Sequence, residues 1–149
     1  MKTYLITGGC GFIGSNFIQY LFENEFAKHV INIDKMTYAG NKENLSLIER
    51  QSNYSFFEDD ICNRELLGSI LQKYNPDVLV HFAAESHVDR SIDEPSEFIQ
   101  TNVVGTLSLL HESSQWLKNL PSDLKNKFRF IHISTDEVYG SLGNDGKFK

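Results

Sequence analysis

Cysteine is scarce in this chain: two among 149 residues, Cys10 and Cys62, without the spacing of a metal-ligand pair or a redox motif. No metal site is expected, and the expected compartment is a reducing one, the cytoplasm. Lysine and arginine number 14 against 20 acidic residues, a formal net charge of −6. That balance offers no electrostatic footprint for nucleic acid or an anionic membrane, so neither is an expected partner. Long apolar runs are missing, none approaching the ~20 residues that span a bilayer. Met1-Lys2 and the short apolar stretch after it are broken too soon by glycine to read as a signal peptide. Repeats, low-complexity tracts and linkers are missing too, so residues 1–149 read as one domain.

What is present is alternation. With 40% hydrophobic residues the chain can bury a sizeable core. Strand-like apolar runs near 2–7, 29–34, 54–58, 77–82 and 128–134 alternate with helical patterns over 12–26, 42–51, 63–74 and 95–118. This is the signature of an α/β fold with a doubly wound parallel sheet of about five strands. Ile13, Phe17 and Leu21 predict one apolar face on the first helix, and Ile99, Val103, Leu107 and Leu110 predict a packed stripe on the last. Asn63 is the expected N-cap of the third helix and Pro95 suits the first turn of the fourth. Leu120-Pro121-Ser122-Asp123 reads as the loop before the fifth strand. The right-handed crossover rule predicts strand order 3-2-1-4-5, with ligands beyond the carboxyl ends at the switch between strands one and four.

Thr7-Gly8-Gly9-Cys10-Gly11-Phe12-Ile13-Gly14 stands at that switch, between an apolar strand and a helix. An ordinary strand–turn–helix junction is the plain alternative. In this context, however, Gly8, Gly11 and Gly14 point to a dinucleotide site. A pyrophosphate can approach the backbone and sit on the N–H groups that open the helix at Phe12 and Ile13. Asp34 ends the second strand about twenty residues beyond Gly14, where a carboxylate accepts from ribose hydroxyls and repels a 2′-phosphate, which favours NAD over NADP. Lys35 is expected to face solvent, since strand neighbours point opposite ways.

Two segments leave strands at the same end. His81-Phe82-Ala83-Ala84-Glu85-Ser86-His87-Val88-Asp89-Arg90-Ser91 is dense in polar groups, and Ala83 and Ala84 are small enough for close approach of a ligand. A solvated loop is the alternative. His81, still in the strand, reads as a hydrogen-bonded core histidine, while His87 is open between ligand contact and loop side chain. In Ser134-Thr135-Asp136-Glu137-Val138-Tyr139-Gly140 the adjacent carboxylates can divide labour, one protonated as general acid and one ionised as general base. A capped turn fits the same residues.

Across its whole length the chain resembles the N-terminal part of extended short-chain dehydrogenases/reductases, and among them the dTDP-glucose 4,6-dehydratase family. The resemblance rests on Thr7–Gly14, Asp34-Lys35-Met36-Thr37-Tyr38-Ala39-Gly40-Asn41, Asp59-Asp60-Ile61, His81–Ser91, Thr101-Asn102-Val103-Val104-Gly105-Thr106 and Ser134–Gly140. It implies a Rossmann fold and NAD-dependent conversion of dTDP-glucose to dTDP-4-keto-6-deoxyglucose, with oxidation at C4, elimination across C5–C6 and reduction at C6. Asp136 is then the general acid, Glu137 the C5 base and Thr135 a hydrogen-bond partner near the C4 oxygen. Asp34 and Lys35 fall at the adenosine ribose, Asp60 and Ile61 at the adenine, and Ala83, Ala84 and Thr101 along the cofactor. Ser86 and Arg90 face the dTDP-sugar. The resemblance further implies a homodimer built on the long helices that flank the sheet.

The family's Tyr-x-x-x-Lys motif is expected some tens of residues after the fifth strand, beyond Lys149, as is the substrate domain. Tyr139 does not fit, because Gly143 occupies the lysine position, and Tyr38-Ala39-Gly40-Asn41-Lys42 matches only as a decoy at the adenosine end. Residues 1–149 are therefore expected to be inactive alone. A related epimerase or decarboxylase is one alternative function, and a non-catalytic NAD-binding module is another.

Overall fold

The five strand-like runs build one parallel sheet. β1 (Lys2–Thr7), β2 (Ala27–Asp34), β3 (Tyr54–Glu58), β4 (Val78–His81) and β5 (Arg129–His132) pair in the order β3-β2-β1-β4-β5, as expected. The helices are α1 (Phe12–Glu23), α2 (Arg64–Tyr74), α3 (Pro95–Phe98), α4 (Thr106–Lys118) and α5 (Ser122–Lys125). The computed structural model describes residues 1–87, 92, 94–140 and 146–147, with the backbone alone at Asp136 and Glu137.

Strand alternation gives the central strands β2, β1 and β4 buried side chains, while β5 at the edge is mostly exposed. Leu5, Ile31, Ile33 and Leu79 pack with Leu67, Ile70 and Leu71 of α2 and with Leu109 and Trp116 of α4. On the opposite face Ile6 and Val30 pack with Ile18 and Leu21 of α1, and with Leu45 and Ile48. Helices on both faces leave the carboxyl ends of the strands as the open rim, and β1 and β4 meet at its centre. Among the described residues no helix is long and apolar enough to cross a membrane.

Several boundaries and faces differ from expectation. α1 stops at Glu23, because Glu25 turns left-handed (φ 54°) and the Phe26 N–H closes on Leu21 O. Its buried face is Gly14, Ser15, Ile18 and Leu21, and Ile13 is exposed rather than packed. Residues 42–51 form no α-helix. Asn41 caps a 3-10 turn, Lys42–Leu45, and mostly i→i+3 bonds follow, which stack Leu45 and Ile48 on one side. Asn63 does cap α2 by accepting from the Leu66 N–H, and Pro95 does open α3. The expected helix 95–118 is interrupted by a π-helical stretch, Ile99–Gly105, where Gly105 lies so close to Ile61 that a Cβ would stand 2.5 Å from its Cδ1. The stripe Ile99, Val103, Leu107 and Leu110 is exposed, not packed. The expected loop before β5 holds α5.

Candidate functional site

The carboxyl ends of β1, β2 and β4 border a cleft of about 590 Å³, part of it open solvent. Gly8, Gly11, Asp34, Lys35, Asp60, Ile61, Ala83, Ala84 and Thr101, all singled out in the sequence, line it together. Thr37, Gly40, Asp59 and Glu85 line it as well without having been assigned a role. Thr37 and Gly40 lie in the Asp34–Asn41 motif, Asp59 in Asp59–Ile61 and Glu85 in His81–Ser91, so the sequence does carry a signal for them.

The turn after β1 is shaped by its glycines. Gly8 has φ +72°, and a Cβ there would stand 2.6 Å from the Ala83 amide nitrogen, so the β4 loop lies directly on the turn. At Gly14 a Cβ would meet Gly8 O at 2.2 Å, which seats α1 against the turn. Gly11 differs: its Cβ would meet only Gly8 O, at an ordinary 3.4 Å. The protein itself does not need glycine there, and the missing side chain leaves the backbone open to an approaching group. Behind it α1 starts with no side-chain cap and no acidic residue in its first turn. The N–H groups at Phe12, Ile13 and Gly14 thus form an uncompensated positive end suited to an anion. The Phe12 and Ile13 side chains are exposed, and Phe12, Ile13 and Gly14 are not among the residues that line the cleft, which reaches the turn at Gly8 and Gly11.

Asp34 is buried and already holds protein. Its Oδ2 accepts from the Cys10 N–H at 2.8 Å and its Oδ1 from the Met36 N–H at 2.9 Å. One carboxylate thereby ties the glycine turn to the loop after β2. Each oxygen keeps a lone pair for a hydroxyl in the cleft. The same loop returns to the turn through the Asn41 N–H, which donates to Cys10 O. Burial, and then the charge of Asp34, push the Cys10 thiol up to about 11, so it stays protonated.

Lys35 does not simply face solvent. Its Nζ pairs with Asp60 Oδ2 at 2.9 Å across the mouth of the cleft, and that hydrogen bond raises the lysine's pKa. Burial pulls the Asp60 carboxyl upward. Hydrogen bonds from the Cys62 N–H and from Lys35 outweigh it and hold Asp60 below the usual carboxylate range. Ile61, beside it, belongs to the core with its edge on the cleft.

His81 is a core histidine, as expected. Thr106 Oγ1 spends its proton on Asn102 O (2.8 Å), so His81 Nε2 must donate to it (3.0 Å). Nδ1 then accepts from the Thr7 hydroxyl at 2.7 Å. Both nitrogens of a neutral ring are satisfied, and burial, followed by the stacked His132, lowers the pKa to about 4. Four residues before Thr106, on the same helical face, Asn102 bonds both backbone groups of Glu85, and Thr101 reaches the cleft.

Other assignments are not drawn into this cleft. Ser86 is exposed and is not among its lining residues, and Arg90 lies outside the described residues. His87 packs edge-on to Tyr38 at 6.0 Å. Thr135 is exposed and leads into a 3-10 turn, Asp136–Tyr139, at the end of β5. The side chains of Asp136 and Glu137 lie outside what is described. Lys42 pairs with Glu58 and lies over the Phe56 ring at 4.6 Å, both on β3. Among the described residues no group of three His, Cys, Asp or Glu is placed to hold a metal ion.

The family model described as GDP-mannose 4,6 dehydratase matches residues 5–148. The dTDP-glucose 4,6-dehydratase of Xanthomonas campestris pv. campestris (strain B100) is 49% identical over 148 residues, 99% of this chain and 42% of that protein. A solved dTDP-glucose 4,6-dehydratase from Bacillus anthracis str. Ames, in complex with NAD, superposes with TM-score 0.82 at 37% identity, covering 100% of this chain and 42% of that one. DesIV, the dTDP-glucose 4,6-dehydratase of Streptomyces venezuelae, with NAD and TYD bound, gives TM-score 0.83 at 41% identity over 97% of this chain and 43% of that one. The chain spans about two fifths of the length of the relatives it matches. On the strength of a family match that runs through the turn, the cleft and β5 alike, the chain belongs to the GDP-mannose 4,6 dehydratase family.

Proposed function

We propose that residues 1–149 form the NAD-binding domain of a cytoplasmic nucleotide-sugar dehydratase that converts dTDP-glucose to dTDP-4-keto-6-deoxyglucose. The observation that carries this reading is the pairing, in one cleft, of Gly11, the open N-cap position of the uncapped α1, with the Asp34 carboxylate. A dinucleotide presents an anion for the first and a ribose for the second. The relatives crystallised with NAD support the same choice. Bound NAD supplies a hydride acceptor and donor.

The chain's own residues supply the rest. Phe12, Ile13 and Gly14 offer N–H groups to the pyrophosphate, and Asp34 accepts from the adenosine ribose and repels a 2′-phosphate. Lys35 and Asp60 close the adenosine end beside Ile61, while Ala83, Ala84 and Thr101 lie along the cofactor. Thr135 hydrogen-bonds the C4 oxygen, Glu137 removes the C5 proton, and Asp136 gives a proton to the departing C6 hydroxyl. Ser86 and Arg90 contact the sugar nucleotide. The tyrosine and lysine that begin C4 oxidation are not supplied by Tyr38 and Lys42, so turnover is proposed for the whole protein and cofactor binding for this chain. The exposed stripe Ile99, Val103, Leu107 and Leu110 supports homodimer formation through that helix.

Calorimetric titration of the chain with NAD and with NADP tests the reading. Binding of NAD at least about tenfold tighter than NADP is expected from Asp34. Equal affinity, or preference for NADP, removes it.

A further inference from the structure

The structure assigns Asn32 as a positioning residue for the phosphate-binding turn, an inference that rests on the cofactor reading above. Asn32 is fully buried in the carboxyl-end half of β2, a place where a polar side chain must find partners inside the protein. Its Oδ1 accepts from the Gly9 N–H at 3.1 Å. Its Nδ2 donates to the Tyr54 hydroxyl at 2.9 Å and lies 3.5 Å from the Cys10 sulfur. The carboxamide therefore holds the turn from one side and is itself oriented by β3 on the other.

Gly9 shows how close the fit is. A Cβ there would stand 2.2 Å from Asn32 Oδ1 and 2.6 Å from Ile18 Cδ1, with no cleft-lining atom among its nearest contacts. Gly9 is glycine for the sake of Asn32 and α1, whereas Gly11 is glycine for the sake of what enters the cleft. Asn32 acts just behind the point where Gly8 touches the β4 loop and where Asp34 holds the next N–H along, that of Cys10. Two successive N–H groups of the turn, at Gly9 and Cys10, are thus held by two side chains of β2, both on its carboxyl-end half. The pair sets the position of Gly11 and of the α1 start relative to Asp34. Without Asn32 the buried Gly9 N–H has no acceptor, and the turn must move to reach one.

The test uses Asn32→Leu, close to isosteric, and Tyr54→Phe, which keeps the acceptor for Gly9 and removes the hydroxyl that helps orient it, leaving the Cys10 sulfur in place. Amide hydrogen exchange at Gly9, relative to Leu5 and Ile6 of β1, reads the turn without ligand. Titrations with ADP and with adenosine separate the pyrophosphate end from the ribose end. Expected for Asn32→Leu is at least tenfold faster exchange at Gly9 with β1 little changed, and about tenfold weaker ADP binding with adenosine binding retained. Tyr54→Phe should shift Gly9 in the same direction by a smaller factor. Unchanged Gly9 protection and ADP affinity overturn the inference and leave the cofactor reading intact. Equal loss of protection at Gly9 and β1 overturns it too, since Asn32 would then serve the sheet in general. If the unmodified chain binds neither NAD nor ADP, the cofactor reading fails, and selective exchange at Gly9 still decides whether Asn32 holds the turn.

Discussion

The Asn102 side chain lies along the Glu85 backbone as a neighbouring strand would, donating from Nδ2 to Glu85 O at 2.8 Å and accepting at Oδ1 from the Glu85 N–H at 2.9 Å. One carboxamide so anchors the loop after β4 to the π-helical stretch, one residue from Ala84 at the cleft. Asn102→Ala removes two hydrogen bonds at about 1 kcal/mol each. Urea unfolding should show a loss of about 2 kcal/mol, with weaker NAD binding. Asn102→Asp should not restore the loop, because an acceptor would then face the Glu85 carbonyl. Wild-type stability and affinity in both variants would show that the loop is held by something else.

Acid should weaken the fold through His81. Its pKa in the folded chain is about 4 against an ordinary 6.5, so between these values the unfolded chain binds the proton and the folded chain does not. This contribution is fully present above pH 6.5 and is lost as pH falls from 6.5 towards 4, to a total of about 3 kcal/mol. Urea midpoints measured from pH 7.5 to 4.5 check the slope. In a His81→Gln variant, where nothing titrates at that position, the fall over this window should be smaller; an unchanged slope would acquit His81.

Gly11 and Gly14 should part ways. Gly14→Ala drives a Cβ into Gly8 O and is expected to cost about 1–3 kcal/mol. Gly11→Ala meets no clash and should stay within about 1 kcal/mol of the parent. Its NAD affinity should nonetheless fall at least about tenfold, because the added methyl fills the approach to the backbone. Thermal melting and calorimetry on both variants separate stability from binding, and undiminished affinity in Gly11→Ala would mean that the pyrophosphate lies elsewhere.

Leu107 is 62% exposed within the apolar stripe of α4 and the π-helical stretch. Leu107→Glu should change monomer stability by no more than about 0.5 kcal/mol. Sedimentation velocity should show self-association of the parent chain and a shift to monomer in the variant. A parent chain that is monomeric at high concentration contradicts the proposed dimer face.

Much of this architecture is legible in the sequence. β1 and β3 have the expected bounds, and the sheet has the expected order, because strand periodicity and crossover handedness are local or topological rules. The glycine motif and the acidic residue some twenty positions beyond it are sequence features, and Gly11 and Asp34 from them line one cleft. Apolar spacing at Ile99, Val103, Leu107 and Leu110 predicted burial and met none, since periodicity says that a face is apolar and not what covers it. The 42–51 segment misled for a related reason: Leu45 and Ile48 fit a 3-10 turn as well as an α-helix.

Chain order and residue type alone were enough for the alternation of strand and helix, the glycine turn and the acidic end of β2, since each depends on short-range geometry and fixed periods. The polar partnerships needed the folded sheet. Asn32 with Gly9, His81 with Thr106 and Asn102 with Glu85 join residues 23, 25 and 17 positions apart. No local pattern encodes those meetings. They follow from strand register and helix packing, which bring buried and half-buried polar groups within hydrogen-bonding reach of each other.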